Sequence, residues 1–212
     1  MLKITRGRIL ESRQRIINHI QESKQHNANF SVVDIGGVAG GSWSSAYIDM
    51  CVDINASDTD ISMGFDICNW EEWNKLLKHV DNHGQFDYCI CTHTLEDIYD
   101  PVTALRWMPR IAKAGIITTP SPTTELSRHE GSYLGYIHHR WIFTEDNGQI
   151  LLVPKLSVLE ELAGNSVHYQ EATQEIVFEW TDTIEWRMFM DNYLGPNVGS
   201  VTNCFRDIIN LG

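Results

Sequence analysis

The stretch SVVDIGGVAGGSW, from Ser31 to Trp43, joins an apolar run to a glycine-rich turn. The run from Phe30 to Ile35 is interrupted only by Ser31 and Asp34, and glycines follow at positions 36, 37, 40 and 41. This pattern predicts a buried strand that ends in a turn with no room for side chains. Glycines in the turn permit positive φ angles and let a ligand lie against the backbone. Taken alone, the stretch also fits an ordinary strand-to-helix turn.

The next apolar run, YIDMCVDI, ends in an acid that could bind the same ligand as the glycine turn. This acid is Asp53, and a carboxylate at that strand tip can bind both hydroxyls of a ribose, as in dinucleotide-binding proteins. The dinucleotide spacing G-x-G-x-x-G fails here, because Val38 stands two residues after Gly36. A nicotinamide-dependent oxidoreductase is therefore disfavoured. The sequence pattern also predicts no second domain, which such an enzyme would need for its substrate.

The rest of the chain alternates strand and helix patterns up to Pro120. A helix is predicted over residues 5–23, strands near 62–67, 86–91 and 115–120, and helices from Asn69 and from Pro101. This rhythm is typical of a parallel sheet covered on both faces. Beyond Pro120 the pattern predicts two hairpins, one around Asp146-Asn147-Gly148 and one within EIVFEWTDTIEWRMF.

Two segments resemble motifs of the class I S-adenosylmethionine-dependent methyltransferases, in particular the small-molecule type 11 group. The glycine stretch resembles D-x-G-x-G-x-G, with Asp34, Gly36 and Gly40 matching and Val38 replacing the middle glycine. The segment CTHTLEDIYDP, residues 91–101, resembles S-x-x-L-E-H-x-x-D-P. In it Leu95, Glu96, Asp100 and Pro101 match, Thr92 stands for the serine, and Asp97 replaces the histidine.

The resemblance covers residues 30–120 and implies a fold and a domain plan. The implied fold is an α/β, Rossmann-like, doubly wound sheet that is mainly parallel, with antiparallel C-terminal strands. We predict one domain over residues 1–212. Residues 1–24 are its N-terminal helix, 30–120 its cofactor-binding core, and 121–212 a substrate-side connection with hairpins.

The resemblance also implies which residues bind S-adenosylmethionine. The cofactor's amino-acid part would lie along Gly36, Gly37 and Gly40, with Asp34 behind them. Asp53 would bind the ribose, Asp66 and the Ile67 backbone the adenine, and Thr92 would line the floor near the methyl group. Asp34 and Asp66 are equally compatible with simple caps at strand ends.

The acceptor side is predicted from polar residues after Cys91 and Pro120. Histidine is the usual base when an oxygen nucleophile must lose a proton, and His93, His138 and His139 are the candidates. Tyr136 and Arg140 are predicted to bind the acceptor, Arg140 through an anionic group. The segment HHRW is equally compatible with a polar hairpin entry. A metal set of Glu125, His129, His138 and His139 matches no standard zinc spacing, so we predict no metal.

Charge and composition limit the classes of partner. The net charge is −12, with +4 in residues 1–24 and −16 in the remainder, and an acidic body is unfavourable for a long phosphate backbone. An RNA 2′-O-methyltransferase remains an alternative because GGVAGGSW is similar to its A-A-P-G-G-W loop, but the Lys-Asp-Lys-Glu set is not evident. We expect a small-molecule or glycan-like acceptor and O- or N-methylation, or else a cofactor-binding protein without catalysis. The polar start, MLKITRGR, and cysteines without framework spacing lead us to expect a cytoplasmic protein.

Overall fold

The computed structural model describes residues 1–37, 43–127, 131–160, 174–189 and 198–210. Its strands are β1 (Leu2–Arg8), β2 (Val32–Ile35), β3 (Met50–Asp53), β4 (Ser62–Gly64), β5 (Phe86–Thr92), β6 (Ala112–Pro120), β7 (Trp141–Asp146), β8 (Gln149–Pro154), β9 (Gln174–Thr181) and β10 (Trp186–Met188). Its helices are α1 (Ile9–His26), α2 (Trp73–His83), α3 (Pro101–Ile111), α4 (Pro122–Glu125) and α5 (Val198–Asn210).

The main sheet has seven strands in the order β1-β9-β6-β5-β2-β3-β4. The strands from β4 to β6 pair in parallel. Counted in chain order from β2, they run 3-2-1-4-5, which is the order of a Rossmann-type sheet. Strand β9 pairs antiparallel with β6. The predicted fold class, mainly parallel with an antiparallel C-terminal strand, is confirmed.

The N-terminal region differs from the prediction of one helix over residues 5–23. Residues 2–8 form β1, which pairs antiparallel with β9 from Leu2↔Trp180 to Arg8↔Gln174, and the helix begins only at Ile9. The side chains of Leu2 and Ile4 pack against the main core, so the period of two in LKIT was a strand signal. The charged residues beside it obscured that signal.

The second sheet contains β10, β8 and β7 in that order. Its hairpin β7-β8 is the predicted one, and Asn147 and Gly148 at its tip have φ angles of 52° and 78°. The second predicted hairpin is wrong. Both edges of β9 are already paired, with β1 and β6, so the chain leaves the main sheet and β10 pairs in parallel with β8.

Helices cover the sheet by packing their apolar side chains against those of the strands. Helix α3 packs Leu105, Met108 and Ile111 into the main core, and α1 places Ile16 and Ile20 in a separate cluster with Ile90 and Val177. In the described segments, no helix has the length and apolar character needed to cross a membrane.

Candidate active site

The carboxyl ends of β2 and β5 lie side by side at the centre of the sheet. From β2 the chain crosses to β3 on one side, whereas from β5 it crosses to β6 on the other. The order of connections therefore reverses between β2 and β5, and in open α/β sheets the crevice at that reversal is where ligands bind.

Two glycines allow the turns after β2 and β5 to approach each other closely. Gly36 has a φ of 85°, and a Cβ at this position would lie 2.3 Å from the side chain of Thr94. A Cβ at Gly37 would lie 2.3 Å from the carboxylate of Asp34. A side chain at either position would clash with Thr94 or Asp34, so only glycine allows the backbone to lie this close to them.

Asp34 lies beneath this turn and is 3% exposed. Its Oδ2 accepts a hydrogen bond from Ser44 Oγ at 2.5 Å. Burial raises the pKa of Asp34 to about 6, although the Ser44 bond lowers it. The carboxylate therefore supports the turn from behind, the position that the sequence resemblance implied.

The other predicted cofactor acids lie at neighbouring strand ends. Asp53 ends β3, and its Oδ1 accepts the Asn55 N–H at 2.8 Å. Asp66 follows β4 and accepts the Cys68 N–H at 2.8 Å and the Tyr99 hydroxyl at 3.5 Å. The Ile67 carbonyl accepts the Trp73 indole N–H at 2.9 Å, whereas the Ile67 N–H has no hydrogen-bond partner among the described residues.

His93 lies directly after β5, next to Thr92, and its ring stands between two buried carboxylates. Nε2 is hydrogen-bonded to Glu175 Oε1 of β9, and Nδ1 lies 3.2 Å from Glu96 Oε1. The backbone of His93 has a φ of 49°, an uncommon conformation for a residue with a side chain. His93, Glu96 and Glu175 are called the His93 cluster below.

The His93 cluster holds its imidazole in the charged form. Desolvation lowers the pKa of His93, but the hydrogen bonds to Glu175 and Glu96 outweigh it and raise that pKa to about 9. Burial raises the pKa of Glu96 above its usual value, although His93 opposes this. To act as the base predicted from the sequence, the imidazolium of His93 would first have to lose a proton, and both neighbouring carboxylates oppose that loss.

His138 and His139 meet Asp97 on the other side of the same loop. The Nε2 atoms of His138 and His139 lie 3.7 Å and 3.3 Å from Asp97 Oδ1. His139 Nδ1 lies 2.5 Å from Glu125 Oε1 of α4, and Lys155 Nζ lies 2.7 Å from Glu125 Oε2. His139 is buried, whereas the side chain of His138 is 58% exposed.

Tyr136 and Arg140 flank these histidines. The ring centroids of Tyr136 and His139 are 4.7 Å apart. Arg140 is exposed, its backbone N–H donates to the Glu96 carbonyl at 2.7 Å, and its guanidinium makes no ion pair within the described ranges. A pocket of about 280 Å³ lies beside His139 and Lys155, walled by Tyr133, Leu134 and Leu156.

The structure thus places the described candidates at one end of the main sheet or in the loops that follow it. Gly40 and His129 lie outside the described residues. Sequence reasoning missed Glu175 and Lys155 because each meets its partners only through the fold. The one signal for Glu175 was an acid at the start of the apolar run EIVFEW.

No protein-family model and no curated protein matches this chain. Among solved structures, the chain is similar to the N-terminal domain of EvdMO1 with SAH bound, at 11% identity and a TM-score of 0.38, over 77% of this chain and 79% of that one. It is also similar to the methyltransferase domain of bacterial CtHen1-C, at 9% identity and a TM-score of 0.41, over 82% and 98%. The MycE methyltransferase in complex with Mg and SAH matches at 13% identity and a TM-score of 0.36, over 88% and 53%. What this crevice binds has to be argued from its own residues.

Proposed function

We propose that this chain is an S-adenosylmethionine-dependent methyltransferase acting on a small-molecule or glycan-like acceptor by O- or N-methylation. The observation that supports this most is the pair of glycines at the strand-order reversal, with Asp53 at the tip of the adjacent strand. Bare backbone beside a strand-end acid suits a ligand that carries both a charged amino-acid group and a ribose.

The crevice residues offer a suitable group for each part of S-adenosylmethionine, and they follow one another along the strand ends in the order of those parts. The Gly36-Gly37 backbone would receive the amino-acid part, and Asp53, whose Oδ2 has no partner among the described residues, would receive the ribose hydroxyls. Asp66 and the Ile67 N–H would border the adenine, and Thr92 would lie beneath the sulfonium. When bound, the cofactor supplies an activated methyl group on sulfur.

The chain's own contribution to the reaction is mainly alignment. Methyl transfer needs the nucleophile, the methyl carbon and the sulfur in line, and holding reactants in that geometry is itself a large rate effect. The pocket beside His139 is where we place the acceptor, with Tyr136 in ring contact with His139 and Arg140 next to it in the chain. Arg140 would orient an anionic group on it, because a guanidinium can bind a carboxylate or phosphate at two points.

The proposal is tested by the affinity of S-adenosylhomocysteine for the Asp53→Ala variant. Loss of the ribose contacts should weaken binding at least tenfold without lowering the melting temperature of the free protein. At a hundredfold excess over Kd, the product should stabilise the wild-type chain by about 2.7 kcal/mol. Isothermal titration calorimetry and thermal shift measure the two effects.

The matched control is Asp60→Ala, which removes an exposed acid from the turn before β4 and should leave affinity unchanged. Equal affinity in the Asp53→Ala variant and the wild type would overturn the cofactor assignment. Tight binding without methyl transfer to any acceptor in a labelled-cofactor screen would instead favour a binding protein without catalysis.

A further inference from the structure

Two histidine side chains converge on one carboxylate oxygen, Asp97 Oδ1. Asp97 follows β5, and His138 and His139 precede β7. One ligand atom from each, a carboxylate oxygen or an imidazole nitrogen, lies within 4.8 Å of the other two. The two imidazole rings meet edge to face, with centroids 4.5 Å apart. Two Nε2 atoms are therefore directed at Asp97 Oδ1 from different sides.

The distances do not suit hydrogen-bonded ion pairs. A charge-assisted N–H···O bond is about 2.7–2.9 Å long, whereas these separations are 3.3 Å and 3.7 Å. Asp97 Oδ1 is buried and has no hydrogen-bond partner within the described part of the chain. Two ligands at about 2.0–2.1 Å from a tetrahedral metal lie roughly 3.4 Å apart, which falls between the two observed values.

Glu125 fixes the orientation of His139 from behind. An ionised carboxylate can only accept, so a neutral His139 that donates from Nδ1 to Glu125 Oε1 at 2.5 Å carries its lone pair on Nε2, which faces Asp97. Lys155 compensates the buried charge of Glu125 through the other oxygen, at 2.7 Å. A histidine whose second nitrogen donates to a carboxylate is the usual arrangement of a metal-ligating imidazole.

From this geometry we infer a binding site for a divalent transition-metal ion, with Asp97 Oδ1, His138 Nε2 and His139 Nε2 as ligands and Glu125 as the positioning residue. Imidazole ligands suit zinc, iron, nickel and copper. The inference departs from the expectation of no metal that the sequence spacing gave.

Three protein ligands leave coordination positions open, as in catalytic rather than structural metal sites. His139 also lines the pocket of about 280 Å³, whose other lining residues include Lys155 and Leu156. If the proposed methyl transfer is correct, on which this step rests, an oxygen of the acceptor would occupy an open position. A metal held by Asp97, His138 and His139 would then supply the Lewis acidity that favours loss of the acceptor's hydroxyl proton to water. His138 and His139 would in that case hold the metal and would not act as bases.

The test is calorimetric titration of the chelator-treated full chain with zinc chloride, followed by cobalt(II) substitution to record the visible ligand-field spectrum. His79 and His83, four residues apart on α2 with stacked rings, form a second chelating pair. All variants are therefore made in a His83→Ala background. In it we expect one equivalent of zinc per chain, and at least a tenfold loss of affinity in Asp97→Asn and in His138→Ala.

His138→Ala is the informative variant because its side chain is largely exposed and its loss should not disturb folding. His26→Ala, an exposed histidine of α1, is the matched control and should bind zinc as the background does. Absence of stoichiometric zinc, or equal affinity in Asp97→Asn, His138→Ala and the control, would overturn the site.

Metal binding is measured without cofactor or acceptor, so it is independent of the proposed function. Zinc binding at Asp97 in a chain that shows no affinity for S-adenosylhomocysteine would overturn the methyltransferase proposal and leave the metal site standing. Methyl transfer that is unaffected by chelator would overturn the metal's role toward the acceptor.

Discussion

At the scale of single residues, the His93 cluster is the least ordinary feature of the chain. It brings a charged imidazole between carboxylates that come from the turn after β5 and from β9. One Glu175 oxygen and Glu96 Oε2 have no hydrogen-bond partner within the described segments, and Glu96 Oε1 is met only by the His93 ring at 3.2 Å. A buried charge that loses its partner is costly, so the fold depends on the ionisation of His93.

The ionisation of His93 makes the free energy of unfolding depend on pH. The pKa of His93 is raised from 6.5 to about 9 in the folded chain, so the folded state binds the proton more tightly than the unfolded state. The resulting stabilisation is complete below about pH 6.5, declines as the pH rises from there, and is lost above about pH 9. Its upper limit is about 3 kcal/mol, at 1.36 kcal/mol per pKa unit.

We therefore expect the difference in unfolding free energy between wild type and His93→Asn to shrink as the pH rises from 6 to 10. Asparagine is chosen because it tolerates a positive φ. Urea unfolding at each pH measures the difference, and His26→Asn, at an exposed position, should show no such trend. A difference that stays constant across this range would contradict the charged state assigned to His93.

At the scale of elements, α3 depends on the residue that caps it. The Asp100 carboxylate accepts hydrogen bonds from the N–H groups of Val102 and Thr103 at 3.1 and 3.3 Å, and from the Thr103 hydroxyl at 2.7 Å. The helix begins at Pro101, which has no N–H to satisfy. This cap ends the loop that carries Glu96 and Asp97, so its loss would affect the loop as well as the helix.

Asp100→Ala should destabilise the chain by about 1 kcal/mol, the usual cost of removing an N-cap acceptor. Asp100→Asn keeps Oδ1 as an acceptor and should cost only a few tenths of that amount. Thermal or chemical unfolding of both variants distinguishes capping from the loss of charge. Equal destabilisation by the two substitutions would mean that the charge, not the acceptor geometry, is what matters.

The elements also show what could be predicted from the sequence and what could not. The strand before Gly36, the position of Asp53, the opening of α3 at Pro101 and the turn at Asn147-Gly148 are local, since each depends on a few neighbouring residues. β1 was missed because its partner, β9, lies more than 160 residues away. For the same reason β10 was paired with β9, whose edges the sequence could not show to be occupied. The contacts of His93 with Glu175 and of Glu125 with Lys155 are likewise products of the fold.

At the scale of the whole molecule, the net charge of the chain bears on whether the acceptor is a nucleic acid or a small molecule. The net charge is −12, with +4 in residues 1–24 and −16 in the remainder. Part of that excess is already used, because Lys3 and Arg15 pair with Glu179 and Lys24 pairs with Asp49. The basic helix face therefore offers a nucleic acid few free cations.

We expect no saturable binding of a single-stranded RNA at 150 mM salt below about 100 µM protein, since non-specific binding depends on neutralised phosphates. Fluorescence anisotropy with a labelled oligonucleotide measures this. Arg13→Glu, which reverses a charge on α1, should abolish any weak binding seen at low salt. Micromolar affinity at 150 mM salt would favour the RNA methyltransferase alternative over a small-molecule acceptor.

The pairing of β1 with β9 sets the order in which the chain can complete its fold during synthesis. Residues 2–8 are synthesised well before the strand that they pair with, which spans residues 174–181. At about 5–20 residues per second, the gap amounts to roughly 10–35 s during which β1 has no partner. The parallel strands β2 to β6 can assemble in that interval, whereas β9 must arrive before β1 can close the edge. β1 is thus made long before it can pair, and such a non-local closure is expected to be slow.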